Sequence, residues 1–148
     1  LHWMDRAAIL TLLGRLLASD GVLLTCASSS VADGRNAWLD SYTAARREWA
    51  QDNRETAGGR SERLHRELAT FLAGSPFHVV ETIGVEASHE ISVPDMARRM
   101  LTYSSSSPAL LGDKVEPMLR DVEARLAPFA HGGAVSEVLV ATAQVIRR

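Results

Sequence analysis

The sequence predicts an α/β fold, and three features of its apolar patterning carry that prediction. Ile9, Leu12, Leu13, Leu16 and Leu17 recur at the three-and-four spacing of one helix face. Two short apolar runs, Val22–Ala27 and Val138–Ala141, lack alternation and read as strands covered on both faces. From Phe77 the period changes to two, with Val79, Ile83, Val85 and Ala87 on the same face. The resulting order is helix, strand, helices, strand, helices, strand, which is a layered arrangement with helices packed on a small sheet. No internal repeat is visible.

The first helix starts after Asp5, whose carboxylate can accept the free N–H groups of the first turn. It is expected to stop near Ser19-Asp20-Gly21, where Gly can take a left-handed turn. The strand of residues 22–27 reads as central and parallel. Ser28 to Ser30 and Asp33-Gly34 read as a polar loop. A second helix carries Trp38, Tyr42, Ala45 and Trp49, and residues 51–60 form an exposed linker. Ser61 can cap a third helix with a Leu64, Leu68, Phe71, Leu72 stripe, ended by Gly74-Ser75-Pro76.

The strand from Phe77 has a second, wetter face with His78, Thr82, Glu86, Ser88 and Glu90, the pattern of a sheet edge. Ser92 and Pro94 signal a helix start, followed by Met96, Met100 and Tyr103. Asp113 can cap a last helix with Val115, Met118, Leu119, Val122 and Leu126, and Pro117 fits only within its first turn. His131-Gly132-Gly133 then turns the chain into residues 135–146, an interior strand.

Composition narrows the function classes. With 148 residues, 46% of them apolar, and a formal net charge of −2, the chain suits one folded domain rather than a disordered segment. Sixteen basic residues against 18 acidic ones, with no basic block, give no electrostatic case for nucleic acid. No apolar run reaches the length of a membrane span. The single Cys26 can form neither an internal disulfide nor a Cys-rich metal site, and with no signal-peptide pattern the expected compartment is the cytoplasm. The chain opens on Leu1, so a processing boundary and the back portion of a longer protein both stand as readings.

Motifs with a mechanism are few. G-x-G-x-x-G, G-x-x-x-x-G-K-[ST] and G-x-S-x-G are all absent, and no histidine pair has metal-ligand spacing. His65 reads as part of a solvated helix face, His78 and His89 as part of the wetter strand face, and His131 as a turn residue. His2-Trp3 differs because it directly precedes a helix cap. In an open α/β sheet that point lies at the carboxyl end of a strand, where ligands bind.

His2-Trp3-Met4-Asp5, followed by a leucine-rich helix and a hydrophobic strand, resembles the second half of class I S-adenosylmethionine-dependent methyltransferases of the small-molecule type. The order continues through Trp38, Trp49, Leu64 to Pro76, the strand from Phe77, Tyr103-Ser104-Ser105-Ser106-Ser107 and Leu111-Gly112-Asp113. The resemblance implies a Rossmann-like sheet of which this chain supplies strands five to seven. The last strand would be antiparallel and inserted between the other two, with flanking helices. It implies a single partial domain over 1–148, a helical substrate-cover insertion over 29–76 and a second cover segment over 88–113. By the same likeness His2 is a candidate base. His2 and Trp3 would flank the junction of cofactor and substrate, and Trp38 and Tyr103 would line the substrate pocket. The glycine-rich loop and the acidic residue that hold S-adenosylmethionine in the family have no counterpart here. The reading that follows is methyl transfer to a small-molecule acceptor as the carboxyl-terminal part of an enzyme, without cofactor binding by this chain alone. The alternative is a non-catalytic module or remnant that pairs with a separate amino-terminal half, or with a second copy, through an open sheet edge.

Overall fold

A computed structural model describes residues 5–51 and 68–148. Three strands are described: β1 (Leu23–Ser30), β2 (His78–Ser92) and β3 (Ala134–Arg147). Their order across the sheet is β1-β3-β2, so the last strand of the sequence is the middle one. Both pairings are antiparallel. The Val31 N–H donates to the Val138 carbonyl at 3.0 Å, and Ser30 meets Glu137 there, while Leu23 shares a cluster with Ile146. On the other side the Val93 N–H donates to the Gly133 carbonyl at 3.0 Å, and Val79 shares that same cluster with Ile146. The expectation of an interior final strand and an edge strand from Phe77 therefore holds.

The chain divides into two compact units. The first takes residues 1–28, 59–85 and 141–148, as far as they are described. Its helix α1 (Arg6–Leu16) begins as expected, with an Asp5 side-chain oxygen accepting the Ala8 N–H at 2.8 Å. Its packed face is the partly buried Ile9, Leu10, Leu13 and Leu17, which lie against Phe71, Leu72, Phe77 and Ile146. Leu12 and Leu16, expected on the buried stripe, are exposed, Leu16 by 72%. The helix carries leucines on more than one face, so spacing alone does not choose the one that is covered.

Three further expectations for residues 21–30 are corrected. Gly21 has no positive φ. It is needed for space, because a Cβ there would lie 2.9 Å from the Ala18 carbonyl oxygen. Ser28 to Ser30 are the end of β1 and not a loop. β1 itself is an edge strand with antiparallel pairing and a mostly exposed surface, Leu24 by 59%, and is neither central nor parallel to its neighbour. Its apolar character is confined to Val22, Leu23 and Leu24 at one end, and small or polar residues follow. Residues 52–67, with the expected linker and the start of the third helix, lie outside the described residues. The helix α3 (Leu68–Leu72) ends at the expected Gly74, where φ is +72°.

The second unit takes residues 29–58 and 86–140, again as far as they are described. It contains α2 (Leu39–Gln51), α4 (Val93–Arg99), α5 (Pro108–Leu111) and α6 (Val115–Leu126). Trp38, Tyr42 and Ala45 form the buried face of α2, Met96, Ala97 and Met100 that of α4 and the short turn after it, and Met118, Val122 and Leu126 that of α6. These are the positions the helical spacing selects. Ser92 caps α4, its hydroxyl accepting the Asp95 N–H at 3.2 Å. Asp113 does not cap α6. It lies in a short 3-10 turn, Gly112–Lys114, and the cap position falls to Lys114, whose side chain does not cap the helix. Gly132 and Gly133 both take positive φ and turn the chain into β3, as expected.

Candidate functional site

One polar row in the second unit crosses all three strands, with Glu137 of β3 at its centre. Glu137 has no exposed surface, although it is a carboxylate on a sheet. Ser30, at the carboxyl end of β1, donates its hydroxyl to Oε1 at 2.7 Å. Arg99, at the end of α4, donates to both oxygens, Nη1 to Oε1 at 2.7 Å and Nη2 to Oε2 at 2.8 Å. His89, near the carboxyl end of β2, brings Nε2 to 3.3 Å from Oε2. A bare buried carboxylate would be driven to its neutral form, so the cluster has to keep it charged. Burial works to raise the Glu137 carboxyl, but the Arg99 hydrogen bonds and then the Ser30 hydroxyl outweigh it. The group lies below the usual range for Glu. Arg99 is held correspondingly above its ordinary value, first by its bonds to Glu137.

Tyr42 and Tyr103 lie near Arg99 and add, after Glu137, to what holds its charge. Tyr42 is 4% exposed, and its enclosed hydroxyl has no hydrogen-bond partner among the described residues. Burial first, and then the nearby Tyr103, push that hydroxyl well above the ordinary tyrosine range. The Arg46 guanidinium lies over the Tyr103 ring, 5.0 Å from its centroid. Trp38 meets the Tyr42 ring edge-on at 5.8 Å, and its indole N–H donates to the Ser136 carbonyl at 2.8 Å.

A second charged group lies in the loop after β1. Arg35 binds Asp33 and Glu86, with Nη1 to the Glu86 carboxylate at 2.6 Å. Hydrogen bonds from Arg35 hold both carboxyls below their usual range. This clamp is exposed and adds little stability.

The sequence-derived candidates distribute unevenly. His2 and Trp3 lie outside the described residues. Trp38 is in the core of the second unit, and Tyr103 is half-buried against it. The sequence singles out neither Glu137 nor Arg99, and its patterning reads Ser30 as a loop residue and His89 as a residue of the wetter strand face. The structure corrects that placement, because His89 faces Glu137 across the β2–β3 pair. Counting by two from Phe77 through Val85 and Ala87 reaches His89 and Ile91, and Ile91 packs on the core. That count was the available signal.

Residues for S-adenosylmethionine are not assembled here. The buried carboxylate is engaged by Arg99 and the loop carboxylate Asp33 by Arg35, and β1 runs into a loop with Gly34 as its one glycine. The described residues do not fit that cofactor. Among them no group of three or more His, Cys, Asp or Glu could hold a metal ion, and no helix is long and apolar enough to cross a membrane. Comparison with known proteins assigns no family, since no family model and no curated protein matches this sequence.

Proposed function

We propose that this chain forms the carboxyl-terminal part of a class I S-adenosylmethionine-dependent methyltransferase acting on a small-molecule acceptor. The observation that carries the reading is the strand order. A final antiparallel strand between two earlier ones is the arrangement that the His2-Trp3-Met4-Asp5 resemblance implies for strands five to seven. The second unit supports it as well. It holds the carboxyl ends of β1 and β2 together with residues 29–51 of the first segment assigned to cover the substrate and all of the second, 88–113. Residues 68–76 of the first segment belong to the first unit. Ligands of open α/β sheets bind at that end of the strands. The compartment that goes with this reading is the cytoplasm.

In this reading the cofactor is held by a part of the enzyme outside the present sequence, and methyl transfer depends on bringing that part and the acceptor into register. Titration of the 148-residue chain with S-adenosylmethionine, followed by calorimetry, is expected to show no saturable binding at micromolar concentrations. One-to-one binding would overturn the division. The intact mass of the native polypeptide in its source cells is expected to lie well above 16.1 kDa, and that polypeptide should methylate a small acceptor. A native mass of 16.1 kDa would remove the proposed cofactor half.

The open side of β1 favours a second reading, a non-catalytic module that another chain completes. β1 pairs with β3 alone among the described strands and leaves Leu24 exposed, and such edges invite pairing. Size-exclusion chromatography with light scattering is then expected to show a complex of defined mass. A folded, strictly monomeric chain would argue against it.

A further inference from the structure

We propose that the open edge of β1 pairs antiparallel with the same edge of a second copy of this chain, about a two-fold axis at Cys26. This names the partner for the second of the two readings above, and it rests on that reading.

The register of β1 fixes which of its backbone groups are turned outward. The Val31 N–H donates to the Val138 carbonyl, so residue 31 turns its N–H and C=O toward β3. Leu23, eight residues earlier, shares a cluster with Ile146, eight residues later on β3, so the two strands stay in step along β1. In an antiparallel ladder successive residues turn these groups to opposite sides. The odd-numbered residues of β1 therefore face β3. Leu24, Cys26 and Ser28 direct their N–H and C=O groups to the other side, where no described strand pairs with them. All three are exposed and lie in the first unit.

The two edges of the sheet differ in charge. β2 carries Glu81, Glu86 and Glu90 along its length, and Arg35 binds Glu86. Charge is one of the means by which edge strands are kept from pairing. β1 has the sequence Leu-Leu-Thr-Cys-Ala-Ser-Ser-Ser, with no charged residue and no proline. A β1–β2 contact between copies would set a charged edge against an uncharged one and would repeat without closing. A β1–β1 contact joins two uncharged edges, uses the same surface on both copies and closes at two. The three outward residues are symmetric about Cys26. The axis there sets Cys26 against its own counterpart, with Leu24 against Ser28 on either side. Each such pair exchanges two N–H···O bonds.

Sedimentation equilibrium of the purified 148-residue chain, in reductant and over rising concentration, tests the pairing. It is expected to show a monomer–dimer equilibrium with a limiting mass of two chains of 16.1 kDa. Cys26→Lys places two ammonium groups opposite each other at the axis, and Cys26→Asp places two carboxylates there. Each variant alone should dimerise about fivefold more weakly, the effect of about 1 kcal/mol for like charges directly opposed. An equimolar mixture of the two should recover the parent affinity, because the mixed pair sets opposite charges together. Ser28→Pro deletes an outward N–H and should weaken the dimer while keeping the parent's thermal midpoint in dilute, monomeric solution. Ala27→Pro deletes an N–H turned toward β3 and should lower that midpoint. A dimer whose affinity the Cys26 variants and Ser28→Pro leave unchanged overturns the two-fold pairing and leaves the wider reading standing. A chain that stays monomeric at millimolar concentration overturns both.

Discussion

Replacing Glu137 by Ala is expected to lower the free energy of unfolding by about 3–5 kcal/mol, read as a fall in the urea midpoint at an unchanged slope. The change removes the partner of a guanidinium already taken out of water, and it leaves the Ser30 hydroxyl without its acceptor. Arg99 retains 30% of its side-chain surface and can turn toward solvent, which places the effect toward the lower end of that range. Replacing both members together, Glu137→Leu with Arg99→Met, should recover most of the loss, because apolar groups of similar volume avoid the desolvation that the pair must overcome. A loss under about 1 kcal/mol in the single variant would mean that the pair is not desolvated in solution.

The same carboxylate sets a pH dependence. The folded carboxyl lies below the 4.5 of a free Glu, so its protonation is harder in the folded state than in the unfolded chain. Its contribution is therefore complete above about 4.5 and is lost as the pH falls from there through the folded value. Urea midpoints at neutral and acid pH should show this loss in the parent and a smaller one in the double variant. An identical acid loss in both would assign the effect to other carboxylates.

The second large effect is expected at Met118. This side chain of α6 has no exposed surface and belongs to the cluster built by α2, α4 and α6. Truncation to Ala removes its transfer energy and leaves a cavity, at a cost of about 2–5 kcal/mol. Met118→Leu keeps the volume and should stay within about 1.5 kcal/mol. Leu110, 52% exposed in the same unit, gives the contrast, and its Ala variant should stay within about 0.5 kcal/mol. Equal losses at the two positions would contradict the packing described for this unit.

The elements that the sequence revealed are those whose signal is local. The Met118, Val122, Leu126 stripe, the Ser92 cap and the Gly132-Gly133 turn each reside within a few consecutive residues, and each forms as the local chemistry dictates. Glu137 was hidden for the opposite reason. Its partners Arg99 and Ser30 are 38 and 107 residues away, so nothing near it in the chain explains a carboxylate inside an apolar strand. β1 misled in a third way. Short aliphatic runs occur in covered and uncovered strands alike, and only the pairing partner on each side decides between them. His89 lay within reach of simple alternation, but the exposed residues around it drew the reading to the other face.

One consequence of the β1 strand concerns how the molecule behaves in air. Cys26 is the single cysteine of the chain, and it lies exposed on that open edge. Two molecules that meet edge to edge bring two thiols into proximity, and oxidation then converts a passing encounter into a covalent pair. The apparent mass in solution will thus depend on the reductant present. A Cys26→Ser form, on the other hand, reports only the association that the strands themselves can sustain.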